Sequence, residues 1–308
     1  MGAEMELIAS GLDFPEGPIW LRDGRVLVVE IKRGTLTAVA PDGTVERLVE
    51  LGGGPNGAAI GPDGKVYVCN NGGFEWYEAN GVVAPGPQPA DYIGGRIQRV
   101  DLDTGVVEDL YTECDGHPLR GPNDIVFDAH GGFYFTDLGK TRAREVDRAG
   151  VYYAKADGSS ITEIAYGLDH ANGIALSPDD RHLYVAETIT GRLWTWEIES
   201  PGVLAQPENP VGHGTLLYSF PGYQLLDSMA VDSAGNVCVA TLVTGAVSVV
   251  SPQGELLEQY PVPEPDPFVT NVCFGGEDYR TAFVTSSGRG LLYRMTWPRP
   301  GHRLHHER

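Results

Sequence analysis

Long apolar runs are missing from this chain of 308 residues, and so is helical periodicity. No stretch of about fifteen residues sustains an apolar stripe at i, i+3, i+4 and i+7, which argues against a helical bundle. No segment has the length and apolarity of a membrane-spanning helix, and residues 1–10 carry acidic side chains rather than an apolar signal core. Cysteine is scarce: Cys69, Cys114, Cys238 and Cys273 are the only four, and none forms a CxxC pair. A zinc–thiolate site is therefore not indicated. Cys69, Cys238 and Cys273 stand inside apolar strand-like runs, as buried free thiols do, and a reducing, cytoplasmic location is the expectation. Positive charge is also short, with 22 basic against 42 acidic residues and a net charge of −20. Such a surface repels phosphate backbones, so nucleic acid is not an expected partner, and neither is a membrane. The acidity serves solubility, with a part of it free to serve a cation.

Several catalytic signatures are absent as well. There is no Gly-x-Ser-x-Gly elbow, no GxxxxGK[ST] loop and no HExxH pair. One GxGxxG match, at Gly52, Gly54 and Gly57, is followed by no helical pattern and is read as chance.

What the chain does have is punctuation: 41 Gly and 22 Pro, with short runs of Val, Ile, Tyr and Thr between them. That pattern belongs to an all-β protein. One sentence recurs through it: a turn, a polar pivot, a short apolar strand, a tight turn, then a second β-rich strand. The pivots are Glu16, Asn56, Asn123, Asn172, Asp227 and Asn271, spaced 40, 67, 49, 55 and 44 residues apart. A period of roughly 40–50 residues with several strands per unit is the signature of a β-propeller, and six copies imply six blades. A closed ring needs all of its blades, so residues 1–308 are expected to form one domain with its core at about 12–297. The second interval is long because residues 70–95 insert an aromatic–acidic piece, Phe74-Glu75-Trp76-Tyr77, and a proline-rich run. This segment is either a lid over one end of the ring or a tolerated surface insertion. A smaller insertion at 200–214 reads as an outer loop, and residues 303–308 as a frayed tail.

In a propeller the innermost strands line a central channel. Six pivots at the starts of those strands would bring six oxygen-bearing side chains to one axis. Four are amides, and Glu16 and Asp227 are carboxylates. Hard divalent cations take such oxygens, and two carboxylates balance the charge of one Ca²⁺. Asn before Gly is also an ordinary turn pair, but Glu is not a favoured turn residue, and Glu16 holds the same repeat position.

The motifs Phe14-Pro15-Glu16-Gly17-Pro18, Gly121-Pro122-Asn123-Asp124, Ala171-Asn172-Gly173 and Asp227-Ser228-Met229 resemble the metal-site motifs of the senescence marker protein/gluconolactonase/luciferin-regenerating enzyme family. The resemblance runs from about Leu12 to Trp297. It implies a six-bladed β-propeller with a central metal-binding channel, and a hydrolase that opens a small lactone. Phosphotriesterase-like or other ester hydrolysis, or a non-catalytic ligand-binding propeller, are the alternatives. It further implies one divalent metal ion, Ca²⁺ first with Zn²⁺, Mn²⁺ or Mg²⁺ as alternatives, held by Glu16, Asn123, Asn172 and Asp227. Asp227 is then the base or nucleophile, and Asn56 faces the substrate. Arg120 takes the place of an arginine that pairs with the third-repeat Asn, and Trp76 on the insertion covers the substrate. Asp124 is either a second catalytic carboxylate or a backbone-binding turn residue. His170 is either a proton shuttle or a loop residue. Asp232 and Asn271 are candidates for a second ion lower in the channel. The Asp-Ser pair at 227–228 resembles the bacterial drug-responsive lactonase branch more than the sugar lactonases, which have Asp-Gly there.

Overall fold

The computed structural model describes residues 5–206 and 213–307. Six antiparallel sheets, five of four strands and one of five, stand around one axis, and the expected six-bladed propeller is the fold. Blade 1 runs outward through Pro15–Trp20, Val26–Glu30, Thr35–Val39 and Val45–Glu50. Blades 2 to 5 repeat this order from inner strands Pro55–Ile60, Pro122–Phe127, Ala171–Leu176 and Leu226–Val231. Blade 6 takes Val269–Gly275, Thr281–Ser286 and Leu291–Thr296 from the end of the chain and its outer strand, Glu6–Ala9, from the beginning. The ring is thus closed by hydrogen bonds between its two ends, leaving no open edge between first and last blade. Among the described residues there is no helix, and none is long and apolar enough to cross a membrane.

Burial explains the residue pattern. Val26–Glu30, Val66–Asn70 and Val237–Thr241, each second in its blade, are buried at every position because a neighbouring blade covers each face. They read as near-continuous apolar runs. The outer strand Val45–Glu50 is mostly exposed and carries Glu46, Arg47 and Glu50. The core is correspondingly divided into six clusters, one in each gap between blades, such as Tyr67, Ile97, Phe127 and Phe133 between blades 2 and 3. All four cysteines are free; Cys69, Cys114 and Cys238 are buried and Cys273 is half-buried.

The insertion at 70–95 folds back over the end of the ring where the inner strands begin. It carries a small hairpin, Trp76–Ala79 with Val82–Pro85. Trp76 lies on Phe14, with ring centroids 5.1 Å apart, and Phe14 in turn touches Phe268. Val83 N donates to Gly288 O at 2.7 Å and Glu78 pairs with Lys32, while Gln88 N donates to Thr141 O at 2.9 Å. The segment therefore reaches from blade 6 across blade 1 to blade 3.

At the other end the chain terminus corrects the expectation of fraying. Residues 301–307 lie across the channel rather than in solvent; Arg308, and residues 207–212 of the smaller insertion, are outside the described residues. Gly301 N donates to Tyr279 O at 2.7 Å, and His302 N to Val231 O at 2.8 Å. His305 meets Asp180 at 2.7 Å, and the His306 ring stands edge-on to Phe127 at 5.5 Å. Glu307 binds the Tyr279 hydroxyl at 2.5 Å. The tail stays down because blades 3 to 6 each give it a partner. Above it the channel holds a cavity of about 120 Å³, lined largely by Ile19, Ile125, Ile174, Met229 and Val272.

Candidate active site on the channel axis

Each inner strand is irregular at its pivot. The register slips by one residue between Glu16 and Ile19, Pro55 and Ala58, Pro122 and Ile125, Ala171 and Ile174, and Leu226 and Met229. A bulge bends a strand and re-aims the side chain at the bulge. Blade 6 has its slip just before the pivot, between Val269 and Asn271. The glycines after Asn56 and Asn172 have a packing reason rather than a turn reason, since neither has a positive φ. A Cβ on Gly57 would come within 2.5 Å of Asn123 O, and one on Gly173 within 2.6 Å of Asp227 O. Without side chains there, neighbouring inner strands close up and carry successive pivots together.

Glu16, Asn123 and Asn172, all buried, and the half-buried Asp227 stand at matching positions on their inner strands, with the Asp124 carboxylate near both Glu16 and Asp227 and Asn271 bonded to Glu16. Glu16 is 1% exposed. Its Oε2 accepts hydrogen bonds from its own Gly17 N and, at 2.7 Å, from Asn271 Nδ2. Its Oε1 is buried with no partner, and so is Asn123 Oδ1. Asp227 Oδ1 accepts from Ser228 N at 3.1 Å, and Ser228 Oγ lies 3.5 Å from Asn172 Oδ1. Burial first, then the nearby Asp227 and Asp124 carboxylates, pushes Glu16 well above the ordinary carboxylate range. Burial likewise raises Asp227 to about 8, with Asp124 adding to it and the Asn172 amide opposing it. Burial lifts Asp124 to about 7. Carboxylates so crowded and so dry await a positive charge or protons.

Asp124 behaves as a clasp. Its Oδ1 accepts from Ile125 N at 3.0 Å and its Oδ2 from Ile174 N at 3.1 Å, tying blade 3 to blade 4. That arrangement favours the backbone-binding alternative. Asn56 is buried on the inner strand of blade 2. Arg120 is exposed; its backbone N donates to Asp137 Oδ2 at 2.7 Å and its carbonyl accepts from the Tyr92 hydroxyl at 2.6 Å. Trp76 is half-buried in the insertion, packed on Phe14. His170 sits 3.3 Å from the Thr141 hydroxyl, with its basicity lowered chiefly by burial. The second-ion idea meets a competitor: the Asp232 carboxylate is taken by Arg299 Nε at 2.7 Å and by Asn236. A guanidinium already supplies the charge there. Asn271 belongs to the upper group through Glu16, which the sequence left open.

Two residues gave no sequence signal. Thr136 Oγ1 accepts from Asp124 N at 3.2 Å and donates to Asn172 O at 2.5 Å, linking the residue after pivot Asn123 to the backbone of pivot Asn172. Lys140 is 2% exposed beneath the insertion. Its Nζ donates to Gly73 O at 2.6 Å and Asn71 Oδ1 at 3.2 Å, and lies 3.9 Å from the centre of the Phe74 ring. Burial pulls its pKa down to about 7 against the pull of Asp137 and Asp147.

No group of three or more His, Cys, Asp or Glu side chains placed to hold a metal occurs among the described residues. The axial donor set is of another composition, two carboxylates and two amides. Two of its oxygens, Glu16 Oε1 and Asn123 Oδ1, are buried without partners; both are acceptors only, and fit a hard cation.

Fold and site together define a six-bladed propeller whose axis is ringed by acceptor oxygens. Residues 14–288 match the SMP-30/Gluconolactonase/LRE-like region, and the chain belongs to that family. It is 32% identical to lactonase drp35 of Staphylococcus aureus over 265 residues, covering 85% of this chain and 74% of that protein. Its fold is similar to a gluconolactonase from Xanthomonas campestris, with a TM-score of 0.75, 24% identity, and 96% and 90% of the two chains covered. It is also similar to the calcium-binding protein regucalcin of Agrobacterium tumefaciens, with a TM-score of 0.71, 19% identity, and 95% of each chain covered.

Proposed function

We propose that the chain is a lactonase that opens small lactones with the help of one divalent cation, Ca²⁺ before Zn²⁺, Mn²⁺ or Mg²⁺. The observation that carries this reading is the pair of buried, partnerless oxygens on Glu16 and Asn123, set beside Asn172 and Asp227. Membership in a family with lactonases supports the reaction class. Glu16, Asn123, Asn172 and Asp227 would hold the cation. When bound, it supplies Lewis acidity to a carbonyl oxygen and steadies the developing negative charge.

The chain's own residues do the rest. Asn271 holds one Glu16 oxygen, leaving the other turned to the axis. Asp227 is the base: its carboxylate takes a proton from the water that attacks the lactone carbonyl carbon. Asn56 and Arg120 orient the substrate, and Trp76 covers it. The apolar channel beneath the ring keeps bulk water away, which strengthens the electrostatics of the site.

The test is a panel of lactones, phosphotriesters and simple esters followed with a pH indicator, with metal content measured on the same sample. Lactone opening that stops with chelator and returns with Ca²⁺ is the expected result. Turnover of phosphotriesters alone, or bound metal with no turnover of any compound, overturns it.

A further inference from the structure

In every blade the chain just ahead of the pivot meets the end of the second strand. Pro15 pairs with Glu30, Pro55 with Asn70, Pro122 with Asp137, Ala171 with Glu187, Leu226 with Thr241 and Val269 with Ser286. All six partners at the strand ends are polar or charged, and all are buried. None belongs to the axial donor set, and a polar side chain in such a place is costly unless it is bonded. Four of them bond the segment that leads into the pivot. Glu30 Oε2 accepts from Asp13 N at 2.7 Å, three residues before Glu16. Asp137 holds two successive amides, Arg120 N and Gly121 N, each at 2.7 Å, directly ahead of Pro122 and Asn123. Glu187 Oε1 accepts from Asp169 N at 2.7 Å, three residues before Asn172. Asn70 Oδ1 accepts from Gly54 N at 3.0 Å, two residues before Asn56. Blade 6 uses a relay: Ser286 Oγ donates to Asp266 Oδ2 at 2.6 Å, and Asp266 Oδ1 accepts from Phe268 N at 2.9 Å, three residues before Asn271. Blade 5 differs. Thr241 turns its hydroxyl into its own blade, donating to Ala246 O at 3.0 Å.

These side-chain bonds are not what joins the segments to their blades. The backbone does that, with or without a side-chain acceptor. Ile31 N donates to Phe14 O at 3.0 Å, Leu138 N to Gly121 O at 2.9 Å and Thr188 N to His170 O at 3.0 Å; in blade 5, Leu242 N donates to Leu225 O at 2.9 Å in the same way. The kind of acceptor also follows the kind of pivot. Glu16, Asn123 and Asn172, the three pivots read as ligands in blades 1, 3 and 4, are each backed by a carboxylate. Asn56, which is not among the ligands, is backed by an amide. A carboxylate makes shorter and stronger bonds to backbone N–H groups than an amide does, and so holds the chain more closely.

Resting on the assignment of Glu16, Asn123, Asn172 and Asp227 to one cation, we infer that Glu30, Asp137 and Glu187 are positioning residues, which fix the chain ahead of three of the ligands so that their oxygens are set before the cation arrives. Ordering the ligands in advance removes a cost from binding. The fourth ligand, Asp227, has no such carboxylate at the matching place.

The test measures Ca²⁺ affinity by calorimetry together with the melting temperature of each variant. Asp137→Asn and Glu187→Gln are each expected to weaken Ca²⁺ binding by about 10–100-fold. Two controls remove buried bonds elsewhere. Asp128→Asn disturbs a carboxylate that accepts from His130 N at 2.8 Å and Gly132 N at 2.9 Å at the opposite end of blade 3. Thr241→Val changes the matching place in blade 5. Both controls should melt lower yet hold Ca²⁺ affinity within about twofold. A double-mutant cycle separates positioning from long-range attraction of the cation. In an Asn123→Ala background, Asp137→Asn should cost no further affinity, because the ligand it positions is gone, whereas loss of a distant attraction would persist. Should Asp137→Asn not fold, Glu187→Gln with Asn172→Ala reads the same cycle. Wild-type affinity in both carboxylate variants, an equal loss in the controls, or a full further loss in the Asn123→Ala background overturns the inference. Protein that opens no lactone but binds Ca²⁺ and shows these shifts upholds the positioning residues while the lactonase reading falls. Wild-type protein that binds no Ca²⁺ overturns both.

Discussion

The two ends of the channel are built from the same six strands and differ in almost everything else. At the upper end each strand offers a polar pivot; burial raises the pKa values of Glu16, Asp124 and Asp227, and neighbouring carboxylates add to it at Glu16 and Asp227. A few residues further on, the same strands offer Ile, Val, Met and Phe around a small cavity, and the tail closes it. One strand therefore does two jobs, divided by its bulge. The pivots sit at or beside the slip; beyond it, side chains return to packing. Function at the upper end is held in an electrostatically costly arrangement, and the lower end contributes the compensating apolar burial.

The comparison breaks most sharply if the upper end can lose a carboxylate without consequence. Asp227→Asn or Glu16→Gln is expected to weaken Ca²⁺ binding by at least about 100-fold and to cut kcat by roughly 10³-fold or more. Calorimetry and lactone turnover check both, and wild-type values in both variants would sink the axial assignment. Asn271→Ala, which frees Glu16 to turn, should cost about 10–100-fold in metal affinity with little change in melting; an unchanged affinity would make the Asn271 bond incidental.

Lys140 gives the pH dependence of the upper end. Its folded pKa, about 7, lies below the ordinary lysine value of 10.5. Between those limits this lysine binds more protons in the unfolded state than in the folded one, so its own contribution to stability rises with pH across the window. The slope is on the order of 1 kcal/mol per pH unit. Below pH 7 a buried charge weakens the seat of the insertion. In thermal melts from pH 6.5 to 9 the wild type should gain stability relative to Lys140→Met as pH rises, and parallel curves would refute it. The smallest effect belongs to the lower end. Ending the chain after Pro300 should lower the melting temperature by about 2–4 °C and increase binding of a hydrophobic dye, while metal affinity holds. A loss of metal affinity there would erase the division between the two ends.

The ring and its pivots were legible because they are local and repeated. Each copy carries its own turn, pivot and strand, so six weak signals in register stand above chance. The glycines after Asn56 and Asn172 were visible but ambiguous, since a turn and a close approach of strands call for the same residue. Asp124 was ambiguous for a similar reason, and only the bond to Ile174 N, 50 residues away, shows its clasp. Lys140 and the tail could not be read at all. Their partners are scattered: the tail alone needs Asp180, Val231, Tyr279 and Phe127. A short run of His, Arg and Glu looks solvated until those partners are assembled.

The strand Glu6–Ala9 bears on the life of the chain before it is folded. Glu6 meets its partner Arg294 across a sequence separation of 288 residues. Blades 1 to 5 can each form from contiguous chain as it emerges during synthesis, but blade 6 has no outer strand until its last inner members have been made. Glu6–Ala9 thus waits for its place until the strands of blade 6 have been made. Such a long-range closure is slow by the usual dependence of folding rate on contact separation. The pairing of Glu6–Ala9 with Leu291–Thr296 is therefore expected to be a slow step of assembly.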